Sequence, residues 1–170
     1  RAFHLHEGET RDAIIEGFLV LNGYSSYPGG GGALFDDGAS ATVRSCVFSK
    51  CHAEGYGVDP WPAFGGAVYV DTGGDPLFVN CTFVGNSING SPAWGTDIAT
   101  NASAVTLQNC LFGYGIANGS LHGPWYGCDG GAINLTVARC IFTDPEAESD
   151  RLSVPDPGLC DWYPGSQNGY

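Results

Sequence analysis

Apolar positions along this chain recur in one short pattern, present five times. Its clearest copy is Leu107-Gln108-Asn109-Cys110-Leu111-Phe112, matched by Val43-Arg44-Ser45-Cys46-Val47-Phe48, Phe78-Val79-Asn80-Cys81-Thr82-Phe83 and Val137-Ala138-Arg139-Cys140-Ile141-Phe142. A degenerate first copy, Ile15-Glu16-Gly17-Phe18-Leu19-Val20, has Phe18 where the others have cysteine. With that position as zero, the copies sit at 18, 46, 81, 110 and 140, in steps of 28, 35, 29 and 30 residues. A period in this range is the mark of a stacked-repeat architecture.

Within each copy the apolar positions are −3, 0 and +2, with a further apolar or small residue at −5 (Ala13, Ala41, Pro76, Val105 and Leu135). Steps of two describe a strand with one buried face. A step of three cannot continue a flat strand, because the next side chain would point outward. The chain must therefore turn a corner between −3 and 0 while facing the same interior. Position −1 holds Gly17, Ser45, Asn80, Asn109 and Arg139. Glycine and asparagine suit the left-handed backbone of such a corner, and Ser45 and Arg139 suit it less well. The pattern predicts an all-β chain: a single-stranded, right-handed parallel β-helix (solenoid) of about five coils, at about 4.8 Å per coil. Long loops gather on one side, and Phe18, Cys46, Cys81, Cys110 and Cys140 stand in one line. The β-branched and aromatic content and the missing 3.6-residue period argue against an amphipathic helix.

A second motif precedes the core stretch as Gly31-Gly32-Ala33-Leu34, Gly65-Gly66-Ala67-Val68 and Gly130-Gly131-Ala132-Ile133, with Gly95-Thr96-Asp97-Ile98 as a departure. From Ala33, Ala67 and Asp97 to the next cysteine there are 13, 14 and 13 residues, but from Ala132 to Cys140 only 8, which predicts a shortened last coil. Gly-Gly-Ala-(Leu/Val/Ile) followed by an Asn-Cys-x-Phe strand resembles right-handed parallel β-helix repeat proteins of bacterial surfaces. Among these are the chlamydial polymorphic outer-membrane proteins and related secreted proteins. The Phe-x-x-Asn half of that signature survives as Phe83-Val84-Gly85-Asn86. Ile15 to Phe18 followed by Asn22-Gly23 looks like the opening coil of the same group. The resemblance spans residues 3 to 143 and speaks to fold; this fold hosts adhesins, lyases, hydrolases and fibre subunits alike. Lyases of this kind look to arginine or lysine for the base and to aspartate for calcium.

The stretches between motifs each carry an aromatic beside a proline or near one: Tyr27-Pro28, Pro60-Trp61-Pro62, Pro92-Ala93-Trp94 and Pro124-Trp125-Tyr126. Tyr27, Trp61, Trp94 and Trp125 are 34, 33 and 31 residues apart, which tracks the coil period. With Tyr126, they are expected to form a stripe up one side. The rings either fold back over the solenoid as a satellite core or present a platform to sugar rings or a neighbouring subunit. Residues 1–143 are read as the β-helix. Residues 144–170 leave the repeat, as an irregular tail that caps the solenoid's last edge or docks on another molecule.

Charge narrows the partners. One lysine, Lys50, faces 18 acidic residues, and the net charge is −12. That argues against nucleic acid and anionic membranes. No stretch is long and apolar enough to predict membrane insertion as a helix. The chain opens at Arg1 without a methionine, as expected of a processed product or a fragment, and no signal peptide is apparent.

Among the 7 cysteines, Cys46, Cys81, Cys110 and Cys140 are read as a core ladder of small apolar thiols, and Cys51, Cys128 and Cys160 as loop or tail residues. Cys128–Cys160 is the preferred disulfide, and the odd count leaves at least one thiol free or paired between chains. Asn-x-Ser/Thr occurs at Asn80, Asn89, Asn101, Asn118 and Asn134. If the host glycosylates, Asn89 and Asn118 are the leading candidates as loop residues, followed by Asn101 and Asn134. Asn80 is the least suited, being placed at a corner.

The sequence shows no nucleophile elbow, phosphate loop or His-Glu-x-x-His helix. His4-x-His6 lacks companions for a metal site, and no metal or cofactor is expected. Asp36, Asp37, Asp71, Asp97 and Asp129 lie near equivalent strand ends, where stacked carboxylates could serve glycoside hydrolysis. Aspartates are also common in turns for local reasons. The reading assigns no catalytic residues. It expects an extracellular or cell-surface structural or adhesive module, a filament or surface-layer subunit whose partners are itself or other surface proteins. Polysaccharide binding through the aromatic stripe is one alternative, and a β-helix polysaccharide lyase or glycoside hydrolase another.

Overall fold

The computed structural model describes residues 1–6, 8–26, 30–55, 63–90, 93–101, 103–113, 116–118, 125–128 and 135–142, with 116–118, 125–128, 135–137 and 141–142 as backbone alone. Every strand pairing among them is parallel. Sheet A stacks Phe3–His6, Leu34–Asp37, Val68–Asp71, Ile98–Asn101 and Trp125–Cys128. Sheet B stacks Ile14–Glu16, Thr42–Arg44, Leu77–Val79, Val105–Gln108 and Leu135–Ala138. Sheet C stacks Leu19–Leu21, Val47–Ser49, Thr82–Val84, Leu111–Phe112 and Ile141–Phe142. Sheet D holds Tyr24–Ser26, His52–Glu54, Ser87–Asn89 and Ile116–Asn118, and sheet E holds Ala63–Phe64 and Ala93–Trp94. The chain is thus an all-β parallel solenoid. It closes about 3 turns rather than the expected five. Sheets A, B and C each have five rungs, but among the described residues the first rung adds no strand to sheet E and the last adds none to sheets D and E.

The corners explain the unusual step of three. Gly17, Ser45, Asn80, Asn109 and Arg139 all take the left-handed conformation, with φ of 75°, 53°, 54°, 53° and 57°. For a serine or arginine this costs roughly 1–2 kcal/mol. The stacking offsets it, because each corner amide donates to the carbonyl two residues before position zero in the next coil. These bonds run Gly17→Arg44 3.1 Å, Ser45→Val79 2.9 Å, Asn80→Gln108 2.9 Å and Asn109→Ala138 2.9 Å. A second left-handed corner four residues after zero, at Asn22, Lys50 and Gly85, swings the chain from sheet C into sheet D.

The main core lies inside sheets A, B and C. Phe48, Phe83 and Phe112, all at position +2, form a column with centroids 5.0 Å and 4.8 Å apart. Phe78 at −3 meets Phe48 and Phe83 edge-on. Each buried ring contributes about 1.5–3 kcal/mol. A smaller second core, Ala53, Ala63, Ile88 and Ala93, fills the space between sheets D and E. The Gly-Gly pair runs between the two cores. Gly31, Gly65 and Gly95 are left-handed, with φ of 68°, 51° and 68°. A Cβ on Gly32 would overlap the His52 backbone, and one on Gly66 the Ser87 carbonyl. Close backbone approach at these two glycines therefore sets the height of the sheet D strands behind them.

Candidate functional site

The most exposed apolar surface lies at one end of the solenoid. Among the described residues seven large apolar side chains are exposed, and five of them, Ile14, Phe18, Leu19, Leu21 and Tyr24, belong to the first rung. Phe3–His6, Ile14–Glu16, Leu19–Leu21 and Tyr24–Ser26 are the terminal strands of sheets A to D at that same end. Val47 donates to the Phe18 carbonyl at 2.8 Å and Asn22 to the Ser49 carbonyl at 3.1 Å. By strand alternation, Leu19 and Leu21 then direct their amides and carbonyls away from the second rung. Phe18 thus holds the ladder's register, yet its ring is 51% exposed and leans edge-on against Phe3 at 5.4 Å.

The expected aromatic stripe takes a different form. Trp94 stands in sheet E, paired with Phe64, and the rings beyond that pair, His4, Phe35 and Tyr69, belong to strands of sheet A. His4, Phe35, Tyr69, Phe64 and Trp94 follow one another at centroid distances of 5.0, 5.5, 4.8 and 4.9 Å. Arg1 lies 4.8 Å over Phe35. Phe64 is stacked by Tyr69 and Trp94, so its two faces are taken, and Tyr69 is buried at 6% exposure. The stack joins sheet E to sheet A. Trp125 departs from the expected stripe: its strand pairs with Ile98 in sheet A, and Tyr126 pairs with Ala99. The Gly-Gly-Ala recurrence at 130–132 misplaced it. Val68 and Ile98 precede their cysteines by 13 and 12 residues, and Trp125 precedes Cys140 by 15, whereas Ile133 precedes it by only 7. Tyr27 and Trp61 lie outside the described residues, as do Asp129, Asn134, Cys160 and the tail from 144.

Each ladder thiol repeats one geometry. Cys46, Cys81 and Cys110 approach the carbonyl at −3 of the coil before, namely Ile15 at 3.7 Å, Val43 at 3.5 Å and Phe78 at 3.6 Å. Each also approaches its own −2 carbonyl, as does Cys140. All four are free thiols, and so is Cys51. Cys51 is not a loop residue: it is fully buried at the corner between sheets C and D, where burial pushes its thiol pKa up. Cys128 ends a strand of sheet A opposite Asn101. Among the sequons, Asn89 and Asn118 are not in loops but pair with each other in sheet D. Asn89 Nδ2 donates to Glu54 Oε1 at 2.6 Å, and Asn101 Nδ2 to Asp71 Oδ1 at 2.8 Å.

Of the carboxylates weighed for acid–base work, Asp36 and Asp97 are fully buried inside the wall, away from any surface substrate. Asp36 Oδ1 accepts from the Ala39 amide at 2.7 Å. Asp97 Oδ1 accepts from Asn86 Nδ2 at 2.7 Å, while Asn86 also donates to Phe48 O and accepts from the Cys51 amide. Arg44 lies on the outer face of sheet B, paired with Glu16 at 2.8 Å. That exposed pair contributes well under about 1 kcal/mol. Among the described residues, no three His, Cys, Asp or Glu side chains gather in a metal-holding group.

The outer face of sheet D carries a polar cluster that the cysteine and glycine motifs do not announce. His52 and Ser87 are register partners, as are Glu54 and Asn89. His52 Nδ1 lies 2.7 Å from Ser87 Oγ and its Nε2 2.7 Å from Glu54 Oε2. Tyr24 stacks on the imidazole at 5.7 Å. The signal was present: His52-x-Glu54 and Ser87-x-Asn89 alternate on strands, and 52 to 87 is the same 35-residue step as Cys46 to Cys81. Compared with protein families, curated protein sequences and solved structures, the chain matches none. Its kinship is shown at the level of the fold alone, a parallel β-solenoid of repeated coils.

Proposed function

We propose that this chain is an extracellular structural or adhesive solenoid module that assembles by stacking a further parallel coil onto its first rung. The observation that carries the reading is the coincidence of four terminal strands with five exposed apolar side chains on that one rung. Unpaired strand edges template pairing with another strand. Exposed apolar residues at the same edge add a driving force of about 25 cal/mol per Å² buried. For the isolated chain, the incoming coil comes from a second copy. Contact between the first rung of one copy and the far end of another is head-to-tail and does not close, so it builds filaments. The resemblance to bacterial surface β-helix repeats supports a cell-surface setting. Electron microscopy of the full chain is expected to show end-to-end fibres. A chain ending at Phe142 is expected to lose them if residues 143–170 strap neighbours together; truncation that instead sets off aggregation of a monomeric chain marks those residues as a cap on the last coil and overturns the filament. A full chain seen as single particles at all concentrations overturns the proposal.

A further inference from the structure

We infer that Ser87, His52 and Glu54 form a nucleophile–base–acid relay on the outer face of sheet D, able to accept an acyl group from a carboxylic ester. This goes beyond the assembly role and does not depend on it. A nucleophile and a base within hydrogen-bond reach, the base oriented by a third group, are recognised by geometry and role rather than by chain order. Here the Ser87 hydroxyl and His52 Nδ1 are 2.7 Å apart, and His52 Nε2 and Glu54 Oε2 also 2.7 Å.

Each partner is held. Asn89 Nδ2 donates to the other Glu54 oxygen at 2.6 Å, fixing the carboxylate. That carboxylate accepts a hydrogen bond from Nε2–H and so leaves the Nδ1 lone pair for the serine. Tyr24 stacks on the imidazole with an interplanar angle of 15°. Behind the strands, Gly32 and Gly66 let the backbone pass tightly against His52 and Ser87, so the two rungs are kept in register. His52 and Glu54 retain side-chain exposures of 27% and 36%, so a substrate can reach the relay from solvent.

The step balances without any cofactor. As Ser87 Oγ attacks the ester carbonyl carbon, its proton passes to His52 Nδ1, and Glu54 stabilises the imidazolium. The C–O bond to the alcohol or phenol breaks, and the leaving oxygen takes the proton from Nδ1. Water then attacks the acyl-serine by the same route, releasing a carboxylic acid and restoring the hydroxyl. The Ser87 amide is already committed to the Cys51 carbonyl at 2.9 Å and cannot serve as an oxyanion donor. General-base assistance alone is worth about 10²–10⁴-fold, so the expected behaviour is a stoichiometric acylation burst with slow turnover.

The test is p-nitrophenyl acetate and a fluorophosphonate probe applied to the full chain, with the adduct located by peptide mass spectrometry. The expected result is one adduct, on Ser87. The burst rate should fall by about 100-fold or more in Ser87→Ala and His52→Gln, and less in Glu54→Gln, with melting temperatures close to wild type. Ser87→Ala removes one oxygen from a half-buried surface position, so its fold is kept. A wild-type chain with no adduct on Ser87, or a Ser87→Ala chain that retains the burst, overturns the inference. The second result would mean that a bare imidazole does the work.

Discussion

Asn86→Ala is expected to cost about 3–5 kcal/mol of folding stability, far more than an exposed polar truncation. Asn86 is fully buried at the corner between sheets C and D. Its amide oxygen accepts from the Cys51 N–H at 2.9 Å, and its nitrogen donates to Phe48 O at 3.1 Å and Asp97 Oδ1 at 2.7 Å. One side chain thus ties the corner of one coil, the strand of that same coil and a buried carboxylate of the next rung. Truncation removes all three bonds and leaves a buried amide without its acceptor, at about 1–3 kcal/mol for such a group. Asn86→Asp should be worse at neutral pH, because it sets a second carboxylate against Asp97, and should recover on acidification. Urea unfolding of the two variants beside wild type checks both statements. A loss below about 1 kcal/mol for Asn86→Ala would show that the corner holds without the amide.

The second large effect is a pH dependence that Asp36→Asn abolishes. Asp36 is fully buried, and its Oδ2 has no hydrogen-bond partner among the described residues. Burial chiefly, with the charges of Glu9 and Asp37, raises its pKa from 3.8 to about 7, while the Ala39 amide pulls the other way. Between those two values the folded chain holds a proton that the unfolded chain has released. Stability therefore falls as pH rises through this window and levels off above it. At about 1.4 kcal/mol per pH unit the full effect is on the order of a few kcal/mol. Asparagine keeps an acceptor for Ala39 but carries no charge, so the variant should be the more stable protein at pH 8 and lose its advantage near pH 4. Unfolding midpoints of both chains across this range measure the difference, in which titration of other groups cancels. Parallel curves would contradict the assignment.

The corners and the core columns were legible because a period and a fixed internal spacing impose them. Steps of two, three and two left position −1 no choice but a corner, and even Ser45 and Arg139 adopt it. Contacts that join residues from different motifs leave no such period in the sequence. Gly95-Thr96-Asp97 read as a bare departure from Gly-Gly-Ala. Asp97 replaces the alanine in the coil that follows the one carrying Asn86, its hydrogen-bond partner. Cys51 looked like a loop residue because sheet D, which buries it, has no apolar alternation long enough to announce a strand. Trp125 was misaligned because Gly130-Gly131-Ala132 repeats the letters of the motif, while the strand paired with Ile98 begins before them. The His52–Ser87 pair needed only the 35-residue coil step applied to polar residues as it had been to cysteines.

The assembly claim rests on the first rung, and sedimentation velocity tests it most directly. Leu19 and Leu21 are 65% and 53% exposed, and their backbone groups face away from the second rung. Lysines at both positions should blunt the edge without disturbing the core side chain between them, Val20. The wild-type chain is expected to sediment faster as its concentration rises, and Leu19→Lys/Leu21→Lys to remain a single monomeric species with an unchanged melting temperature. A wild-type chain that stays monomeric throughout, or a double variant that associates as wild type does, would contradict stacking through that rung.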